Sequence, residues 1–162
     1  MFLGLIPTLG LAGELLDHLK QYEGRWVGEF TVKSDVSDYS ETFAVEQQYW
    51  MNGSKLFGVT VYERPKGGLE SAESIVTINQ DGSLLMKVRR GNEVEAYVGV
   101  YREGGIIWLP SDMKRAEDYQ TTVRIAEVEG GLEMTTEGFD TYVHSGGVGH
   151  VLFLGRLNCV AK

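Results

Sequence analysis

At 162 residues and 18.0 kDa the chain is the size of one domain, taken here as 1–162, and such a domain buries about two-thirds of the surface its unfolded form exposes. A formal net charge of -8 with no run of Lys or Arg opposes binding to a polyphosphate backbone, so nucleic acid is excluded as an expected partner. The single cysteine, Cys159, cannot form an intramolecular disulfide and has no Cys/His companions at zinc spacing, which fits a reducing cytoplasm.

The chain opens on an apolar run, MFLGLIPTLGLAG. It lacks a basic leading region, contains Pro7 and continues into an amphipathic stretch without a cleavage site, so it is read as retained sequence rather than a secretory signal. Residues 11 to 22 place Leu11, Leu15, Leu19 and Tyr22 at helical spacing, with Leu16 beside them and Glu14, Asp17, Lys20 and Gln21 turned away. His18 is assigned to the polar flank. The segment 1–23 is thus expected to end in a helix that closes the fold built by 24–162. No later stretch approaches the roughly 20 apolar residues that span a bilayer.

From Gly24 onward the pattern is β. Alternating runs occupy 24–34, 41–51, 54–64, 70–79, 83–90, 93–102, 105–109, 118–128, 131–138 and 148–160. Turn-rich pieces such as Asn52-Gly53, Asp81-Gly82, Gly91-Asn92 and Gly130-Gly131 separate them. A hairpin loop is expected over 139–147, carrying His144, and a polar loop or short helix over 110–117. About ten sequential antiparallel strands leave two exposed edges unless the sheet closes. The expected fold is therefore all-β, a single up-and-down barrel with the N-terminal helix at one end. A sandwich is the alternative.

The segment Gly24-Arg25-Trp26-Val27-Gly28, entered from a short helix, resembles the opening of lipocalin-like barrels of the calycin superfamily. Its longer Gly-x-Trp-x-Gly form resembles uncharacterised bacterial calycin domains and nitrobindins. The resemblance implies that the Trp26 indole closes the barrel base, with a basic residue of the last strand packed across it. Arg156, in Phe153-Leu154-Gly155-Arg156-Leu157, is the matching candidate for that cation–π contact. The nitrobindin likeness implies haem held by a histidine of the final strand, which here is His150.

Alternate residues of a strand share a face, so an anchored residue assigns its neighbours. With Trp26 inward, Gly28, Phe30 and Val32 follow, and Phe43, Val45, Gln47, Tyr49 and Met51 face them. Leu84, Met86 and Val88, then Val94, Ala96, Val98 and Val100, then Tyr119, Val123 and Ile125, are read as further inner faces. With Arg156 toward Trp26, Leu154, Leu152 and His150 turn inward too. The acidic residues Glu93, Glu95, Glu127, Glu129, Glu133 and Glu137 are assigned to the outer surface.

The expected function is carriage or sensing of a small, largely apolar molecule, with Phe30, Phe43, Gln47, Tyr49, Met86, Val98, Tyr119, Val123, His150 and Leu152 as ligand-binding candidates. An enzyme of cyclase, isomerase or decarboxylase type, with His150 as its base, is the alternative, and nitrobindin-like haem binding is a third. An outward, structural His150 and a barrel filled by its own side chains are the readings that would remove these last two or all three. No metal site is indicated, and no cofactor beyond haem. The sequence does not assign an oligomeric state.

Overall fold

The computed structural model describes residues 9–64 and 66–162, with side chains from 12 onward except at 65. The apolar opening of the chain and the Leu11 side chain lie outside the described residues. Helix α1 spans Leu9–Lys20. Ten strands follow among the described residues: β1 (Gly24–Ser34), β2 (Ser40–Asn52), β3 (Lys55–Glu63), β4 (Leu69–Ile78), β5 (Leu84–Arg90), β6 (Glu93–Arg102), β7 (Gly105–Pro110), β8 (Tyr119–Val128), β9 (Gly131–His144) and β10 (Gly147–Ala161). A single 3-10 turn, Met113–Arg115, interrupts the meander between β7 and β8.

Each strand pairs antiparallel with its chain neighbours, and β1 pairs with β10, so the sheet is a closed barrel. The sandwich alternative is thereby excluded, and the architecture is consistent with a lipocalin-like fold. Closure satisfies both edge ladders, which an open meander of this length would leave unpaired. The turns form where the sequence places them; Gly53, for example, takes φ 62, a conformation open to glycine at little cost. One turn is tighter than expected. Phe139 to Val143 is rich in aromatic and β-branched residues, and it continues β9 to His144 instead of forming a loop.

The helix closes the end of the barrel where β1 begins. Leu15, Leu19 and Tyr22 are buried, and they meet Trp26, Leu56, Leu84, Ile106, Met134 and Leu157 in one core. Trp26 has no exposed surface, and its Nε1 donates to the Tyr22 carbonyl at 2.7 Å. His18 departs from its expected place on the polar flank. It is buried against Tyr101, with ring centroids 4.7 Å apart, because it lies three residues from Leu15 on the same helical stripe.

Two strands reverse the expected parity. On β10, Leu157 is fully buried and Gly155 and Phe153 share its face, so Arg156, Leu154, Leu152 and His150 point outward. Arg156 lies 3.7 Å from Glu133 on the outer wall, and the cation near the Trp26 ring is Lys162, whose Nζ is 6.0 Å from the ring centroid. Lys162 also donates to the Gln21 carbonyl at 2.9 Å. On β6 the inward set is Glu95, Tyr97, Gly99 and Tyr101. Val94 and Val100 are exposed, and Val98 is half-buried on the same outer face, between Leu85 and Leu109 in the register. Gly99 is the reason for the reversal: a Cβ there would sit 2.5 Å from the Trp108 ring, so the indole fills the space a side chain would need.

Candidate functional site

Above the plugged end the barrel interior is hollow. The cavity measures about 720 Å³, within the range of small-molecule sites. Its floor is set by Leu19, Tyr22, Leu56, Ile106 and Met134, the same side chains that meet the helix and Trp26. The completely packed interior is therefore not what these residues build.

The middle and upper walls are aromatic and aliphatic. On one side Phe30 stacks near Phe43 with centroids 6.4 Å apart, and Phe43 leads to Tyr62 at 5.9 Å. On the other, Tyr97, Tyr119 and Phe153 form a second arc with spacings of 5.3 and 6.3 Å. Gly155 lets Phe30 lie flat on the wall, since a Cβ there would come within 2.5 Å of its ring. Met86, Val88 and Val123 complete the apolar belt between the arcs.

Polar groups concentrate at two levels, with Thr121 and Thr136 between them. Near the floor, Gln47 and Thr60 are cross-strand partners, and Tyr49 lies over Gly58 beside Ser74. Burial pushes the Tyr49 hydroxyl up to about 12, with a hydrogen bond to Thr60 opposing the shift. Burial also raises Tyr22, whose ring meets Tyr49 edge-on at 5.6 Å. Both tyrosines are therefore neutral and available as donors, and neither is a base at physiological pH. Tyr22 Oη and Gln47 Oε1 are buried with no hydrogen-bond partner among the described residues.

At the open end the lining is charged. Arg90 Nη1 lies 2.8 Å from Glu95 Oε2, and the Tyr97 hydroxyl donates to the same oxygen at 2.6 Å. That hydroxyl, together with Arg90, holds the Glu95 carboxyl below its usual range. Glu95 is thus a lining residue of the mouth, not of the outer surface. Arg115 reaches Asp140 at 3.3 Å across the same rim, and the Met113–Arg115 turn is capped by Asp112.

Of the residues proposed from sequence, Phe30, Phe43, Gln47, Tyr49, Met86, Tyr119 and Val123 line the cavity together. Val98, Leu152 and His150 do not, for the parity reasons given above. His150 is fixed outside the barrel: its Nδ1 is 2.8 Å from Asp35 Oδ2, its backbone N–H donates to Asp35 Oδ1 at 2.7 Å, and its ring meets Phe139 edge-on. His144 stands at the end of β9 beside Gly146, and His18 lies below the floor. With none of these three imidazoles lining the cavity, the residues do not fit a haem held there by His150, nor a His150 base acting on a cavity-bound substrate.

Tyr62, Tyr97, Trp108, Phe153 and the Arg90–Glu95 pair escaped the sequence reading. For Phe153 and Tyr97 the available signal was a glycine two residues on, at Gly155 and Gly99, marking where a large inner ring needs space. No protein-family model matches the chain, and no curated protein matches it.

Proposed function

We propose that the protein binds one small, largely apolar molecule inside the barrel, as a carrier or sensor. The observation that carries this reading is the 720 Å³ cavity, walled by two aromatic arcs and closed at its base by α1. Hydrophobic transfer into such a space contributes about 25 cal/mol per Å² of apolar surface buried. Flat or ring-bearing molecules gain further from the faces of Phe30, Phe43, Tyr119 and Phe153.

A binding role is supported over catalysis by where the ionisable groups lie. Carboxylates and guanidinium groups line the mouth, whereas the groups deep in the cavity are neutral hydroxyls and one amide. The floor can orient a ligand but supplies no charged acid or base to it. The outer wall carries ion pairs such as Arg25 with Glu46 at 2.6 Å, the chemistry of a surface that meets water. Among the described residues no helix is long and apolar enough to cross a membrane. A cytoplasmic location belongs to the same proposal.

Titration with N-phenyl-1-naphthylamine, whose emission rises in apolar surroundings, tests the reading. The wild type is expected to show saturable binding of one probe per chain. Val123→Trp, which fills the middle of the cavity, is expected to weaken it at least tenfold while circular dichroism stays unchanged. Absence of saturable binding, or equal binding by the filled variant, would overturn it.

A further inference from the structure

We propose that the open end of the barrel docks on the surface of a zwitterionic phospholipid layer, through apolar side chains carried at the tips of its mouth connections. These side chains lie outside the cavity lining, so the docking does not depend on what the cavity holds.

In an antiparallel meander successive connections alternate between the two ends. The β1–β2, β3–β4, β5–β6, β7–β8 and β9–β10 connections turn at the mouth, and the other four turn at the end that α1 closes. The five most exposed large apolar side chains among the described residues are Met113 at 84%, Val143 at 84%, Leu69 at 70%, Val94 at 62% and Val148 at 59%. All five lie in a mouth connection or within two residues of one. Val36 and Tyr39, each half exposed, add to them from the β1–β2 connection, so every mouth connection carries or adjoins at least one. The connections of the closed end carry none. Gly53-Ser54, Asn79–Ser83, Glu103-Gly104 and Glu129-Gly130 are glycine and polar residues throughout. Apolar surface left in water at one end only marks that end as the one that meets an apolar phase.

The arrangement of the tips favours lipid over protein. A protein partner takes a contiguous surface of about 800 Å² per side. Here the tips stand on five separate connections around the opening, with Arg64, Lys66, Asp112, Lys114 and Glu117 among them. A fluid headgroup layer admits apolar tips one by one and leaves the polar groups at its own level. Tyr39, with an apolar ring and a polar end, suits that boundary. Charge selects the kind of lipid. The mouth connections hold five carboxylates and four Lys or Arg side chains, so they match the paired opposite charges of phosphocholine, carboxylate to ammonium and cation to phosphate. They lack the basic excess that draws a protein to an anionic leaflet.

Methyl NMR of methionine-labelled protein with phosphatidylcholine vesicles carrying 5-doxyl phosphatidylcholine tests the docking, with unlabelled vesicles as the reference. Met113 sits at a mouth tip, whereas Met51 lies partly buried near the closed end. The spin label is expected to broaden Met113 about threefold more than Met51, as contact of one end with the headgroup layer requires. Leu69→Asp combined with Val143→Asp is expected to remove most of that excess, while Val128→Asp, at the closed end, leaves it in place. Both sites of the double variant are well exposed, and an unchanged Met51 resonance without vesicles shows that it is folded. Equal broadening of Met113 and Met51, or an excess at Met113 that the double variant retains, overturns the docking. Broadening seen only with phosphatidylglycerol vesicles and abolished by added salt also overturns it, because attraction of charge would then be the cause. A lipid-free dimer in sedimentation velocity that Val143→Asp dissociates assigns the rim to a second copy of the chain and likewise overturns it.

Discussion

His18 has its chemistry set by two neighbouring rings and by burial. The ring lies between α1 and the barrel, against Tyr101 and edge-on to Tyr22, and burial lowers its pKa below the ordinary 6.5. Its folded-state pKa is therefore depressed, so the unfolded chain binds more protons in the interval between the two values. Stability is full above about pH 6.5 and is lost as pH falls through the folded-state pKa. Urea unfolding at pH 7.5 and 5.5 is expected to show a lower midpoint at the acid pH for wild type and a smaller difference for His18→Leu. An unchanged difference in the variant would assign the acid sensitivity elsewhere. The buried stripe Leu15, His18, Leu19, Tyr22 has the spacing of an amphipathic face, so the position was legible in sequence. Residue polarity concealed it.

At the level of strands, what could be read depended on the anchor. Trp26 has no partner that could reverse it, and from it the inner faces of β1 and β2 follow through Phe30, Phe43 and Tyr49. In β5 and β8, too, one parity is clearly the more apolar, and Leu84, Met86, Tyr119 and Val123 lie inside. β6 and β10 each carry two plausible apolar sets. Valines compete with Tyr97 and Tyr101 in one strand, and Leu152 and Leu154 compete with Phe153 and Leu157 in the other. Choosing the more aliphatic set, or anchoring on Arg156, turns both strands over, because a shift of one residue exchanges the two faces. The outer valines of β6 are covered in part by Leu85 and Leu109, a neighbour effect that only the register shows. Two substitutions on β10 check the observed parity. Leu157→Ala, at a fully buried site, is expected to cost about 2–5 kcal/mol in unfolding free energy. Leu154→Gln, more than half exposed, is expected to change it by no more than about 0.5 kcal/mol. The reverse order would contradict the assigned face.

Across the whole molecule the barrel divides into a solid end and a hollow end. Helix, Trp26 and the ring of Leu56, Leu84, Ile106, Met134 and Leu157 form the solid end, which supplies the stability that lets the rest stay unfilled. The closed sheet was legible because ten short alternating runs with turn residues between them have few other ways to satisfy their edges. The hollow was not, because periodicity assigns residues to a face without measuring the distance across it. Methionine methyl NMR separates the cavity from the outer surface, since Met86 and Met134 line the cavity and Met113 lies exposed on the turn outside it. On adding N-phenyl-1-naphthylamine to protein carrying labelled methionine methyl groups, the Met86 and Met134 resonances are expected to shift to saturation at one equivalent while Met113 stays in place. Shifts confined to Met113, or no saturating shift at Met86 and Met134, would contradict binding inside the barrel.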